Sequence, residues 1–223
     1  MNRTTGLMAT AALVLLVGAA SMSGQGQAQP PQQPMSFFVT STGPGNGGNL
    51  GGLAGADAHC QTLAAAAGAG NRTWRAYLSQ GAAGSAPVIN ARDRIGSGPW
   101  YNARGVLIAS NVEDLHEDRN NIRKPTALDE KGAEVLGVGD KPNQHDILTG
   151  SDSQGRVVPG NVLVTTCNNW TSADPAHRAM VGHHDRLGGA SASWNAVHSS
   201  GGCSQENLVA TGGAGLLYCF AVN

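Results

Sequence analysis

Histidine and aspartate residues that suit metal binding are concentrated in one region of the chain: His177, His183, His184, Asp185 and His198. Imidazole nitrogens and carboxylate oxygens are ligands that Zn²⁺ takes in proteins, usually as a tetrahedral set. Adjacent His183 and His184 would point to opposite faces of an extended segment. One of them, with Asp185, is therefore predicted as a partner for His177 or His198 around a metal. The alternative, which we favour, is that these residues are exposed polar side chains on a surface loop.

A second group of polar side chains surrounds a turn at residues 149–152. Asn143, His145 and Asp146 precede this turn, and Asp152 closes it. The four side chains are candidates for the rim of a ligand-binding site. The alternative is that they hydrogen-bond the turn itself, as short polar side chains often do. We favour this second, structural interpretation.

Motifs that would indicate an enzyme are missing from the sequence. It has no Gly-x-Ser-x-Gly, no His-Glu-x-x-His and no phosphate-binding loop, which are motifs that position nucleophiles, metal ligands or phosphate-binding N–H groups. We assign no catalytic residue and no cofactor-binding residue. A metal-dependent hydrolase that uses the His177–His198 region is the alternative.

The composition indicates a loop-rich domain with a modest aromatic core. Glycine accounts for 32 of the 223 residues, aromatic residues for 4% and charged residues for 13%. A chain of this length is long enough to bury a core as a single domain. Its formal net charge of −1 gives no positive field that would attract nucleic acid, so no nucleic-acid partner is expected.

The N-terminus is typical of an exported protein. Residues 1–28 are predicted as a signal peptide, because Arg3 precedes an apolar run at 7–20 that is shorter than the about 20 residues of a membrane span. An uncleaved anchor is the alternative. Residues 29–35 are predicted as a disordered spacer rich in proline and glutamine, and residues 36–223 as the folded domain. We expect a secreted or periplasmic protein without stable membrane insertion after cleavage.

Short elements separated by glycine turns must position the candidate side chains. We predict a strand at 36–41, a helix at 55–67 and a half-buried strand at 74–78. Residues 113–146 contain nine of the fifteen acidic residues and few large apolar ones, and are predicted as a long excursion over the surface. A last strand is predicted around Cys219.

Four cysteines in an exported chain are most simply two disulfides, for which three pairings are possible. Cys60 lies in an alanine-rich segment of high helix propensity. Cys219 lies in an apolar run of strand formers near the end of the chain. A first helix tied to a last strand would close the domain, which favours Cys60–Cys219 and leaves Cys167–Cys203.

Several segments, taken in order, resemble the endostatin domain of collagens XV and XVIII. They are 51–61 (Gly-Gly-Leu-Ala-Gly-Ala-Asp-Ala-His-Cys-Gln), 73–79 (Thr-Trp-Arg-Ala-Tyr-Leu-Ser), 147–156, 167–170, 192–203 and 217–220. The resemblance implies an α+β, C-type-lectin-like fold: mostly antiparallel β-structure with two helices, a long loop region and two nested disulfides, Cys60–Cys219 around Cys167–Cys203. An exported bacterial relative is the expectation, since no collagen-like repeat precedes the domain.

Two ion sites of these relatives are not intact in this sequence. Sugar-binding C-type lectins hold Ca²⁺ with several oxygen ligands, but here Ala196 follows Trp194-Asn195 where they have an aspartate, and Lys141 precedes Pro142-Asn143 where they have a glutamate. The histidine-rich segment that holds zinc in endostatin has no counterpart, because residues 29–38 contain no histidine. We expect neither family site and leave any other cofactor unassigned. Trp194 is predicted in the core.

A binding function is expected from this scaffold. We expect a non-enzymatic module that recognises an extracellular or envelope glycan or protein through its long-loop face. The exported, disulfide-linked scaffold and its polar excursion lead to this expectation. A structural component of the cell envelope is a further alternative to the hydrolase.

Overall fold

The structure is a computed structural model that describes residues 1–2, 33–117, 119–189 and 192–223. Gln32–Asn223 form one compact unit, and only the first two residues of the preceding unit, Met1–Pro31, are described. The predicted signal peptide and most of the predicted spacer therefore lie outside the described residues. Within the described ranges, no helix has the length and apolar character needed to cross a membrane.

A six-stranded sheet is the centre of the fold. The described residues contain eight strands: β1 Phe37–Val39, β2 Trp74–Ala76, β3 Trp100–Tyr101, β4 Leu107–Ala109, β5 Asp146–Leu148, β6 Met180–His183, β7 His198–Ser199 and β8 Gly213–Ala221. The sheet has the order β1-β8-β5-β6-β7, β2 also pairs with β8, and β3 and β4 pair separately. Only the β5–β8 pairing is parallel among these described strands. The expected α+β, mostly antiparallel architecture is confirmed.

Helices are more numerous than expected. The described residues contain α1 Gly52–Ala66, α2 Val112–His116, α3 Val162–Thr165, α4 Cys167–Trp170 and α5 Gln205–Ala210, so the expectation of two helices is wrong. Three of the short helices begin with a capping side chain: Asn111, Asn161 and Ser204 each accept a hydrogen bond from an N–H in the first turn. Such caps stabilise single turns that are too short to produce a helical pattern in the sequence.

The fourth helix is a left-handed turn. Cys167, Asn168, Asn169 and Trp170 have φ angles of 48°, 57°, 52° and 65°, a conformation that costs about 1–2 kcal/mol for each residue with a side chain. Surrounding contacts hold it: the Trp170 indole N–H donates to the Ser79 carbonyl at 2.7 Å. The Asn169 amide both donates to and accepts from the backbone of Gly81.

Strand β8 divides the core into two layers. Leu217, Cys219 and Ala221 face one layer, which contains α1 and Trp170, whereas Leu216, Tyr218 and Phe220 face the other. Alternation along a strand places successive side chains on opposite faces of the sheet. Trp194 is 3% exposed in the second layer, which confirms its prediction as a core residue.

Both predicted disulfides are present. Cys60 in α1 is bonded to Cys219 in β8, and Cys167 is bonded to Cys203. Helix α1 begins three residues before and ends one residue before the predicted helix at 55–67. The excursion at 113–146 contains α2 and then, apart from the undescribed Asp118, runs without a regular strand to β5.

Candidate metal centre

Pairing between β5 and β6 brings the two candidate groups of the sequence together. Asp146 begins β5, and the register places it opposite His183, the last residue of β6. His198 begins β7, which pairs with β6, and His145 immediately precedes β5. We call His145, Asp146, His183 and His198 the His–Asp centre.

The side chains of the His–Asp centre converge on the Oδ1 atom of Asp146. The Nε2 atoms of His183, His145 and His198 lie 3.0, 3.3 and 3.6 Å from this oxygen. His183 Nε2 also lies 3.1 Å from His198 Nε2. The rings of His145 and His183 are stacked, with centroids 3.9 Å apart. Potential ligand atoms of His145, Asp146 and His183 all lie within 4.8 Å of one another, and this is the one such set that the described residues provide.

Two histidines of the centre use Nδ1 as a hydrogen-bond donor. His198 Nδ1 lies 3.0 Å from the Ser199 carbonyl, to which it donates, and His145 Nδ1 donates to the Asp185 carboxylate at 3.3 Å. Where these imidazoles are neutral, Nε2 is left as the acceptor. His183 Nε2 can donate to His198 Nε2, and a cation between the remaining acceptors and the anionic oxygen would relieve their repulsion.

The Asp146 carboxylate has close neighbours but no hydrogen bond. Both of its oxygens are buried and without a hydrogen-bond partner among the described residues, although His183 Nε2 is 3.0 Å from one of them. The separation is short, but the direction is wrong for a hydrogen bond. A buried carboxylate without hydrogen bonds is costly unless it is paired or coordinates a metal.

Asp185 contacts the His–Asp centre through the Nδ1 side of the His145 ring. Its Oδ2 accepts from the Val138 N–H at 3.0 Å, while Oδ1 accepts from His145. Burial raises the pKa of Asp185, but these hydrogen bonds outweigh it and hold the pKa at about 2. A carboxylate bonded to the far nitrogen of a metal-binding histidine fixes its tautomer and orientation. Asp185 is therefore a positioning residue.

Burial contradicts the interpretation of this region as exposed. His183, His184 and Asp185 are 3%, 0% and 8% exposed, so the expectation of exposed side chains is wrong for all three. His184 points away from the centre, and its Nε2 donates to the Leu136 carbonyl at 3.1 Å. This agrees with the prediction of opposite faces. Burial lowers the pKa of His184 despite this hydrogen bond.

The remaining sequence candidates lie elsewhere or have structural roles. His177 Nδ1 is 2.6 Å from the Ser172 hydroxyl, outside the convergent set. Asp152 Oδ1 accepts from the N–H groups of Gln154 and Arg156, so this side chain stabilises the turn that follows it. Asn143 lies beside the centre, and its Oδ1 accepts from the His145 N–H at 3.3 Å.

A polar cavity of about 580 Å³ is the second candidate site. Its lining includes His116, Asn120, Arg186, Trp194 and Asn195. The buried amides are already satisfied: Asn120 donates to two carbonyls, and Asn195 donates to Tyr77 Oη and two carbonyls. The side chains at the floor of the cavity are therefore used in hydrogen bonds that stabilise the fold. The His–Asp centre is the better candidate for a binding site.

The network beneath this cavity predicts a pH dependence of stability. Tyr77 O–H donates to His116 Nε2 at 2.6 Å, and burial lowers the pKa of His116 from 6.5 to about 4. As the pH falls through 6.5, His116 becomes protonated in the unfolded chain, whereas in the folded protein it is protonated only near pH 4. This one group should therefore reduce the free energy of unfolding by about 3 kcal/mol between these values.

Urea titrations between pH 4 and 7 measure this effect. The free energy of unfolding should fall less steeply with decreasing pH in His116→Gln, which keeps an acceptor for Tyr77, than in the wild type. His59→Gln, at a half-buried position on α1, is the control and should retain the wild-type slope. Equal slopes for His116→Gln and the wild type would show that His116 is not the group responsible.

No protein-family model matches the chain, and no curated protein matches it. The resemblance to endostatin domains thus stays a prediction. Three imidazoles and one carboxylate form a donor set that suits Zn²⁺ and other late first-row divalent metals better than Ca²⁺ or Mg²⁺, which prefer oxygen ligands.

The sequence predicts two separate groups, with His145 and Asp146 in a ligand rim and His183 and His198 as metal candidates. The register across β5, β6 and β7 joins the two groups.

Proposed function

We propose that this protein is an exported binding module that holds a zinc-like divalent metal ion at the His–Asp centre and recognises its ligand through that ion. The resemblance to C-type-lectin-like domains and the predicted signal peptide support the exported binding role. The two disulfides are typical of an oxidising compartment. We also propose the C-type-lectin-like fold, with a binding surface on the long-loop face.

The spacing of the donor atoms carries the metal proposal. In a tetrahedral zinc site with bonds of about 2.0–2.1 Å, neighbouring ligand atoms lie about 3.3 Å apart. Four of the six separations between these ligand atoms are 3.0, 3.1, 3.3 and 3.6 Å. The side chains of His145, Asp146 and His183 are no more than 10% exposed, while that of His198 is 41% exposed. An ion at this point would be anchored from within the domain and reachable from one side.

Binding fits the surroundings of the centre better than hydrolysis. A zinc hydrolase needs a general base near the metal-bound water. Asp185, the carboxylate behind the centre, is occupied by His145 and the Val138 N–H. Asp146 is itself a proposed ligand. We therefore favour the binding module over the metal-dependent hydrolase.

Calorimetric titration of chelator-treated protein with Zn²⁺ tests the proposal. We expect one ion per chain in the wild type and no tight binding in His183→Ala or Asp146→Asn. Asp185→Asn should retain the site with an affinity about 10- to 100-fold lower, because it loses the support of His145. Zinc at about 100 times the dissociation constant should raise the free energy of unfolding by about 2.7 kcal/mol in the wild type.

His177→Ala is the matched control. It removes a histidine from the same region but outside the His–Asp centre, so zinc affinity should be unchanged. A flat wild-type titration with Zn²⁺, Co²⁺ and Ni²⁺, or equal losses in His177→Ala and His183→Ala, would overturn the proposal. In that case the His–Asp centre would be a hydrogen-bonded cluster with additional protons.

A further inference from the structure

Residues 136–138 of the long excursion lie against the segment that directly follows β6. His184 Nε2 donates to the Leu136 carbonyl at 3.1 Å, and the Val138 N–H donates to Asp185 Oδ2 at 3.0 Å. Both side chains that make these bonds are buried. The loop at 136–138 is therefore joined at two points to the strand end that carries a proposed metal ligand.

Gly137 allows the loop to approach Asp185 closely. A Cβ atom at position 137 would lie 2.8 Å from Asp185 Oδ2 and 3.4 Å from the Cβ and Cγ atoms of the same side chain. Gly137 is itself buried. The backbone of the loop thus packs directly on the carboxylate, and a change in the position of this carboxylate must be felt by the loop.

Asp185 also joins the loop to the proposed ion. Its Oδ1 accepts from His145 Nδ1, and its Oδ2 accepts from the Val138 N–H. The two oxygens belong to one rigid carboxylate, so whatever fixes the His145 ring restricts the oxygen that holds Val138. An ion bound to His145 Nε2 would fix the orientation of the ring and withdraw electron density from it, which strengthens Nδ1–H as a donor.

Apolar burial does little to hold the loop in place. The side chains of Leu136 and Val138 are 38% and 46% exposed. Gly137 exchanges hydrogen bonds with Asp140, which belongs to the same excursion. A segment with few buried apolar contacts opens at a lower free energy than the core does. The bond from Val138 to Asp185 is thus expected to contribute to how often this loop opens.

We infer that occupancy of the His–Asp centre by its metal ion fixes the conformation of the loop at 136–138, through His145 and Asp185. This rests on the metal centre proposed above. The ion would thereby control part of the long-loop face on which we place ligand recognition, without a bond between the ion and the ligand. Coupling of this kind is reciprocal, so an intact loop should raise the affinity for the metal by the same factor.

Amide hydrogen exchange, measured by NMR without zinc and with saturating zinc, tests the coupling. Zinc should slow exchange of the Val138 N–H about 3- to 30-fold, a range typical of coupling through side-chain contacts. The effect should be lost in zinc-saturated Asp185→Asn, because an amide offers one acceptor oxygen where the carboxylate offers two. The Gly105 N–H, bonded to Asn102 in the β3–β4 hairpin, is the control and should exchange at an unchanged rate.

Two variants at position 138 measure the reciprocal effect on the metal. Val138→Pro removes the N–H that Asp185 accepts and should lower the zinc affinity about 3- to 30-fold. Val138→Ala keeps this N–H and shortens only an exposed side chain, so it should bind zinc as the wild type does. Far-ultraviolet circular dichroism shows whether the proline variant folds; the exchange measurement decides the outcome if it does not.

The outcomes separate the two proposals. Failure of the wild type to bind zinc would overturn the metal centre. Zinc binding without slower exchange at Val138, or with equal slowing at Val138 and Gly105, would overturn the coupling while the metal centre stands. Equal zinc affinities of Val138→Pro and Val138→Ala would also overturn it. Slowing that persists in Asp185→Asn would overturn the role of Asp185.

Discussion

Replacing both Cys60 and Cys219 with alanine is expected to lower the free energy of unfolding by about 5 kcal/mol, on the loop-entropy model of disulfide stabilisation. The bond joins residues 159 positions apart, so it constrains most of the unfolded domain. Both cysteines are fully buried, in α1 and in the central strand β8. Their truncation also removes packing in the core layer that contains α1.

The Cys167–Cys203 pair provides the matched comparison. Its sequence separation is 36, so the same model predicts a smaller loss of about 4 kcal/mol. Urea denaturation of the two double-alanine variants under identical conditions measures the difference. Greater destabilisation by loss of Cys167–Cys203 would contradict the loop-entropy explanation and would indicate that this bond mainly stabilises the left-handed turn at Cys167–Trp170.

Gly182→Ala is expected to lower the free energy of unfolding by more than about 4 kcal/mol, a loss that few single substitutions cause. A Cβ atom at this position would lie 1.9 Å from the Trp194 carbonyl oxygen and 2.4 Å from Asn195 Cα. Both contacts are with backbone, so no side-chain rotation relieves them. Strand β6 and the segment at 193–195 would have to separate, breaking the hydrogen bond from the His183 N–H to the Ser193 carbonyl.

The same variant should weaken the proposed metal centre because His183 follows Gly182 directly. Urea denaturation measures stability, and zinc titration of any folded fraction measures the site. Gly201→Ala is the control: its Cβ would meet mainly the Thr211 side chain, at 2.8 Å, and Thr211 is exposed. A Gly182→Ala protein as stable as the Gly201→Ala protein would show that 193–195 is free to move.

Local chemistry made much of the scaffold predictable. Cys60 lies in a segment that favours helix and Cys219 in one that favours strand, so their pairing followed from the elements that carry them. The α+β class and the burial of Trp194 were also predictable. The short capped helices were not, because a single turn such as Gln205–Ala210 is shorter than the window in which helical periodicity can be recognised.

The sequence determined which donor atoms the protein has, but only the tertiary structure decided which of them meet. Asp146 and His183 are far apart in the chain, and their proximity depends on the register between β5 and β6. Register is set by the burial of whole strand faces, and a shift by one residue would turn each side chain to the opposite face. The sequence therefore contained two separate polar groups, and the sheet makes them one His–Asp centre.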